Sequence, residues 1–225
     1  MSAGLGLQRR SKVLRKFNNH CRFLSYERLC DSLPASAVHY SYTYAMSEVE
    51  KTSAHIEVLP ASAEQMPILA NLLELYAHDF SEFHNLSLGE GGRFGYPRLP
   101  LYWSEPGRHP FLVRMDGKLA GLVLVQKVPG VSGNEAVWDM AEFFIVRGCR
   151  RRGIGTQVAQ EVWRRFPGLW EVRVMQSNSS ALQFWAKAIS TFAGQGIPAV
   201  RIERGGEPWS LFRFESKGRP RADGI

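Results

Sequence analysis

Cysteine is scarce in this sequence. Among 225 residues there are three, Cys21, Cys30 and Cys149, and none belongs to a Cys-x-x-Cys pair. An odd, scattered count argues against a disulfide framework, and a structural zinc site lacks its ligands. The six histidines show no ligand spacing either, so no metal site is expected. Long apolar runs are missing too. The longest, Leu119 to Val125, is far too short to span a bilayer. No segment has the long uncharged core of a secretory signal. The expectation is a soluble, cytoplasmic chain with no membrane partner, in which the Asn-x-Ser sequons at Asn85 and Asn178 carry no weight.

Acids are absent before Glu27, and this decides how the net charge of +7 is read. Residues 1–45 carry Arg9, Arg10, Lys12, Arg15, Lys16, Arg22 and Arg28 against Glu27 and Asp31 alone, so five of the seven excess positive charges sit there. A near-neutral body behind a basic segment is not the footprint of a nucleic-acid-binding domain. Residues 1–53 also lack a sustained hydrophobic period. They read as a basic, disordered extension, with a targeting presequence and a phosphate- or membrane-contacting arm as the alternatives.

From His55 onward the signals become regular. Ile56 to Leu59 is a short strand ending at Pro60. Ser62 and Gln65 form a capping-box pattern ahead of a helix with Leu69, Leu72, Leu73, Tyr76 and Phe80 on one stripe. Pro67 is expected to distort the first turns of that helix. Glu90 to Pro110, rich in Gly and Pro, reads as loop. Phe111 to Met115 and Lys118 to Val125 are strands joined by Asp116-Gly117, a strong hairpin signal. Val137 to Val146 is a further strand. A helix follows from Ile154, with Val158 and Val162 on its apolar face, until Pro167-Gly168 stops it. Trp170, Val172 and Val174 alternate as a strand. A last helix carries Ala181, Leu182, Trp185, Ala188 and Ile189, and strands near 199–203 and 209–214 flank Gly205-Gly206. The order predicts one α/β (α+β) domain over residues 54–216, with residues 217–225 as a tail.

The informative segment runs from Ile145 to Thr156. A hydrophobic strand enters a short basic loop, Arg147 to Arg152, and then the first turn of an amphipathic helix. A helix N-terminus exposes unpaired backbone N–H groups and the positive end of the dipole. Glycines at 153 and 155 leave room for an anion, and Arg150, Arg151 and Arg152 add charge-assisted donors suited to phosphate. These features predict a pyrophosphate site. The third glycine of a dinucleotide fingerprint is missing after Gly153-Ile154-Gly155, and no Gly-Lys-Ser/Thr completes a Walker loop.

The surviving pattern, Arg-x-x-Gly-x-Gly at 150–155 between a strand and a helix, resembles the coenzyme A loop of the GNAT superfamily of N-acetyltransferases. Asn178-Ser-Ser-Ala181-Leu-Gln-Phe184-Trp185 is similar to that family's second cofactor motif, and Asp139 to Ile145 looks like its central strand. The resemblance covers about residues 55–216 and implies a GNAT-like, mostly antiparallel mixed sheet flanked by helices. It also implies acetyl-CoA as acyl donor and direct transfer to an amine in a ternary complex. On this analogy backbone groups of Phe144, Ile145 and Val146 pair with the pantetheine arm. Arg150, Arg151, Arg152, Gly153, Ile154, Gly155 and Thr156 hold the pyrophosphate, and Asn178 and Trp185 line the coenzyme arm.

The chemistry needs a base, and the candidates are Glu142 and Asp139 on the central strand. Three residues apart, they face opposite sides of a regular sheet unless a bulge intervenes. The family often has a Tyr acid at the position of Trp185, which has no usable proton. This departure keeps a catalytically weak acyl-CoA sensor among the readings. The acceptor, a small-molecule or protein amine, is expected near Tyr76, His78 and Asp79. No nucleic-acid partner is expected, and the chain reads as a monomer or homodimer.

Overall fold

The computed structural model describes residues 54–218, apart from 132, 134 and 135. The extension over residues 1–53 and all but the first two residues of the 217–225 tail lie outside the described residues.

Seven strands form one sheet in the order β1-β2-β3-β4-β5-β7-β6. They are β1 (Ile56–Pro60), β2 (Arg108–Met115), β3 (Lys118–Pro129), β4 (Ala136–Ile145), β5 (Gly168–Met175), β6 (Val200–Arg204) and β7 (Glu207–Ser216). Every neighbouring pair is antiparallel except β4 and β5, which run parallel. The helices are α1 (Met66–Phe80), the short α2 (Leu101–Ser104), α3 (Ile154–Arg165) and α4 (Ser179–Ala193). The sequence reading of a GNAT-like mixed, mostly antiparallel sheet is borne out. The stretch expected to be loop over Glu90 to Pro110 holds α2 and the first residues of β2. A single helical turn is too short to give a periodic signal.

Local chemistry explains the turns. Asp116 and Gly117 both take positive φ, 51° and 74°, as a two-residue hairpin requires. Pro67 lies in the first turn of α1, where its missing N–H has no intrahelical partner to lose. The irregularity falls instead just before it, in a 3₁₀ turn over Ala63–Gln65, with the Ser62 N–H donating to Gln65 Oε1 at 3.0 Å.

Two cores sandwich the sheet. On one face Leu69, Leu72 and Leu73 of α1 pack with Leu112, Leu122, Leu124 and Phe144. On the other, Ile154, Val158, Val162 and Trp163 of α3 and Trp185 and Ile189 of α4 pack with Val123, Val125, Met140 and Phe212. Strand β3 is buried on both sides, which is why it reads as a near-continuous apolar run.

Two irregularities in β4 create the site. The β3–β4 register runs Leu124↔Glu142 and then Val125↔Met140, so Ala141 is an extra residue, a β-bulge. Asp139 therefore lies opposite Gln126 and Glu142 opposite Leu124, and both acids point to the α1 face. The opposite-face expectation for a regular strand is corrected by this bulge. The second irregularity is the parallel pair. Strands β4 and β5 are in register only at Trp138↔Trp170 and Asp139↔Glu171, leaving the rest of β4 without a partner on that side.

Candidate active site

Beyond Ile145 the chain makes a 3₁₀ turn over Arg147–Cys149 and then reverses into α3. The reversal uses φ of 62° at Arg151 and 78° at Gly153, the latter serving as the helix N-cap. The first N–H of α3 to find a helical partner is that of Gln157, which donates to the Gly153 carbonyl. The N–H groups of Ile154, Gly155 and Thr156 are thus left at the mouth of the helix. Arg151 and Arg152 are exposed and have no ion-pair partner among the described residues. The two glycines serve different ends. Gly153 supplies the left-handed conformation, whereas a Cβ on Gly155 would lie 3.1 Å from the Phe184 ring. Close packing under the loop is therefore part of the reason for Gly155.

Arg150 is engaged otherwise than its neighbours. Its Nε donates to the Ile145 carbonyl at 2.6 Å and one terminal nitrogen donates to Asp79 Oδ2 at 2.6 Å. Arg147 donates through two nitrogens to Asp79 Oδ1, at 3.0 and 2.7 Å. Burial raises the Asp79 pKa, but the hydrogen bonds and charges of the two arginines outweigh it and hold the carboxyl below its ordinary value. Asp79 thus faces the basic loop, and His78 beside it is exposed.

The backbone of β4 is partly committed as well. The Val146 N–H donates to the Ala120 carbonyl, and the Ile145 carbonyl accepts from Arg150. On an antiparallel strand alternate residues point their N–H groups to opposite sides, so that of Ile145 faces away from β3, into the gap beside β4. Gly121, opposite Ile145, makes the β3–β4 approach possible: a Cβ there would stand 2.0 Å from the Phe144 carbonyl oxygen.

Glu142 is the centre of a half-buried polar cluster. The Tyr96 hydroxyl donates to its Oε1 at 3.0 Å, and the Tyr76 hydroxyl also favours its charged form. Burial dominates, and with the charge of Asp139 it pushes the Glu142 pKa up to about 7. Burial and the neighbouring carboxylate raise Tyr76 and Tyr96 well above the usual phenol value. Asp139 is nearly inaccessible. Its Oδ2 accepts from Gln126 at 2.9 Å and is paired with Arg173, while its Oδ1 has no partner among the described residues.

Tyr96 comes from the irregular segment after α1 and is placed there by Glu74. That carboxylate accepts from the N–H groups of Phe94, at 2.8 Å, and Gly95, at 3.0 Å, with Arg93 3.5 Å away. Gly95 itself has φ of 71°. Sequence reasoning missed Glu74, Tyr96, Gly121 and Arg173. The Gly-Arg-Phe-Gly-Tyr run at 92–96 is the one local signal that could have marked a shaped segment.

A cleft of about 250 Å³ lies where β4 and β5 part. Tyr76 and Phe80 of α1, Glu142 and Phe143 of β4, Asn178 and Trp185 of α4, and Arg204 and Trp209 of the β6–β7 hairpin line it. Asn178 caps α4: its side-chain oxygen accepts from the Ala181 N–H at 3.0 Å, which leaves its NH₂ unused by the cap. Trp185 is packed edge-on against Phe143 and Phe184, at 5.0 and 4.8 Å between ring centres. The structure thus brings together Glu142, Tyr76, Asn178 and Trp185, and separately Asp79, Arg147 and Arg150. His78 is exposed, with its Nδ1 4.0 Å from Asp79 Oδ1.

The sheet thus opens at its one parallel pair, β4 and β5, and the loop that leaves β4 leads into the bare N-terminal turn of α3. The profile described as Acetyltransferase (GNAT) family matches residues 69–189, more than half of the chain, and the protein belongs to that family. Solved structures agree on the fold. An acetyltransferase from Thermus thermophilus superposes with a TM-score of 0.52 at 15% identity, covering 72% of this chain and 98% of that one. The yncA protein of Salmonella typhimurium, whose structure contains its cofactor acetyl-CoA, gives 0.51 at 9% identity, covering 76% and 99%. A GNAT-family protein from Desulfovibrio desulfuricans gives 0.51 at 12%, covering 72% and 99%. No curated protein matches the chain by sequence. No described helix is long and apolar enough to cross a membrane.

Proposed function

We propose that the protein is an acetyl-CoA-dependent N-acetyltransferase that acetylates a primary amine by direct attack, with Glu142 as general base. The observation that carries this is the Glu142 carboxyl itself, half-buried at a cleft wall with its pKa raised to about 7. A carboxyl with that affinity is about half ionised near neutral pH and can accept the proton that the acceptor amine must lose as it reacts.

The residues present fit the donor. The N–H groups of Ile154, Gly155 and Thr156, with Arg151 and Arg152, would hold its pyrophosphate, and Gly153 keeps a side chain away from them. The Asn178 NH₂ and the Phe143–Trp185 wall would line its arm. Bound there, the coenzyme supplies a thioester carbonyl carrying the acetyl group. Arg150 is assigned a positioning role, because its guanidinium is committed to Ile145 and Asp79. Asp79, bonded to the basic loop, is likewise assigned to that loop and not to the acceptor.

Glu142 removes the proton that makes the acceptor nitrogen non-nucleophilic. With the coenzyme bound, the neutral nitrogen would attack the thioester carbon. As the carbon–sulfur bond broke, the nitrogen's remaining excess proton would pass to the departing thiolate, which would leave as free thiol. The Ile145 N–H, facing the gap, is the donor for the carbonyl oxygen. Tyr76 and Tyr96 orient the base and stabilise its charged form, and Trp185 is a wall, not an acid. Asp139, behind Glu142, helps through its charge to hold the Glu142 pKa up.

The test is titration of acetyl-CoA into the wild type and an Arg151→Ala/Arg152→Ala variant, followed by turnover with a panel of amines. Micromolar binding that weakens by about tenfold or more in the variant supports the cradle. A folded wild type that binds no acetyl-CoA refutes the proposal.

A further inference from the structure

The electrostatics of the cleft are lopsided. Among the described residues lining it, Glu142 is the only carboxylate, and near neutral pH it is about half protonated. Two guanidinium groups line the same cleft, Arg173 from β5 and Arg204 from the end of β6. Arg173 is answered by Asp139, which lies behind it and is nearly inaccessible. Arg204 is exposed at the rim of the cleft and has no ion-pair or hydrogen-bond partner among the described residues. Glu207, opposite it across the Gly205-Gly206 turn, is exposed and does not line the cleft.

A third nitrogen donor belongs to the same wall. The indole Nε1 of Trp209 is buried without a hydrogen-bond partner, and Trp209 also lines the cleft. An unpaired buried N–H costs on the order of 1–3 kcal/mol, and a bound acceptor group would offset that cost. The hairpin that carries Arg204 and Trp209 is held against β5. The Gln176 N–H donates to the Pro208 carbonyl at 3.0 Å, and Met175 pairs with Trp209 in register. These donors therefore sit on anchored backbone, as a specificity element requires.

From this arrangement we infer that the acceptor is a small primary amine that also carries a carboxylate, its amine toward Glu142 and its carboxylate toward Arg204 and Trp209. An unanswered guanidinium attracts an anion, and it repels a second ammonium group. Polyamines and lysine-rich segments would meet Arg204 with only the half-charged Glu142 to compensate. An amino acid presents the matching pair of charges.

This inference rests on the acetyltransferase reading, so the experiment separates the two. Acetyl-CoA affinity is measured first, by calorimetry, for the wild type and Arg204→Ala. Turnover is then measured with a panel of α- and ω-amino acids, each paired with its own carboxamide, and with polyamines. The expected result is unaltered acetyl-CoA affinity in both proteins and, in the wild type, a kcat/KM at least about tenfold higher for an amino acid than for its carboxamide. In Arg204→Ala that ratio should fall to about unity, chiefly through KM, and Arg204→Lys should recover part of it. Preference for the carboxamide or the polyamine overturns the inference while leaving the acetyltransferase reading intact. So does an Arg204→Ala variant that lowers both members of a pair equally, or acetyl-CoA binding with no amino acid acetylated. Failure of the wild type to bind acetyl-CoA overturns both.

Discussion

Asp79, near the end of α1, holds Arg150 at 2.6 Å through one carboxylate oxygen and Arg147 at 2.7 Å through the other. One carboxylate therefore ties the basic loop before α3 to the opposite side of the β4 edge. Arg150 passes the constraint on to the Ile145 carbonyl. Asp79→Asn keeps the shape of the side chain and removes its charge. Acetyl-CoA binding should weaken by about tenfold while the unfolding midpoint shifts little, because the pairs are largely surface-exposed. Calorimetry and thermal unfolding measure the two effects. If acetyl-CoA affinity is unchanged and the acceptor KM rises instead, Asp79 is an acceptor ligand.

Activity should follow the titration of Glu142. The rate limb of kcat/KM is expected to rise with pH and level off above about 7, because the carboxyl must be ionised to accept a proton. Glu142→Gln should lower kcat by about 10²-fold or more and abolish that limb. A Gln variant that retains the wild-type pH profile would assign the base elsewhere.

The same substitution should stabilise the fold. Between the unfolded value of 4.5 and about 7, native Glu142 holds a proton that the unfolded chain has released. The unfolded state then binds fewer protons, so stability falls as pH rises through that window. The contribution is fully present below pH 4.5 and lost above about 7. Glu142→Gln removes the penalty, and at pH 8 its gain over the wild type should be on the order of 3 kcal/mol. Denaturant unfolding of both proteins at pH 5 and pH 8 checks the sign, since the difference should shrink at the lower pH.

Tyr96 acts on Glu142 by donating to its charged form. Tyr96→Phe removes that donor and should move the pH–rate limb above 7, with loss of activity at pH 7 and recovery near pH 9. Glu74→Gln should move the limb the same way by a smaller amount, because Glu74 reaches Tyr96 only through the backbone of Phe94 and Gly95. An unmoved limb in Tyr96→Phe would reduce the tyrosine to packing.

Gly121→Ala tests the closest approach in the sheet. The added methyl would stand 2.0 Å from the Phe144 carbonyl oxygen, a backbone atom that cannot move without opening β3 from β4. Destabilisation of about 3 kcal/mol or more is expected, with poor recovery of soluble protein. Thermal unfolding decides it; a shift of a degree or two would mean that the strands yield easily.

Much of this protein was legible along the chain. Strand and helix periods, the Asp116-Gly117 hairpin and the glycines at 153 and 155 are local signals, set within a few residues by sterics and hydrogen bonding. Together they gave the element order, the helix mouth at Ile154 and the family. Three features of the site needed the tertiary structure. The bulge at Ala141 is a matter of register against β3, and it alone turned Asp139 and Glu142 to one face. The partners of Asp79 and Glu142 stand 68, 71 and 46 residues away, where no periodicity reaches. The rise of the Glu142 pKa comes from burial beneath residues that the chain brings together only when folded. The sequence determined which anion-binding loop and which acids exist. Long-range packing decided where each points and how strongly each holds its proton, because solvation and charge at a site depend on everything that surrounds it.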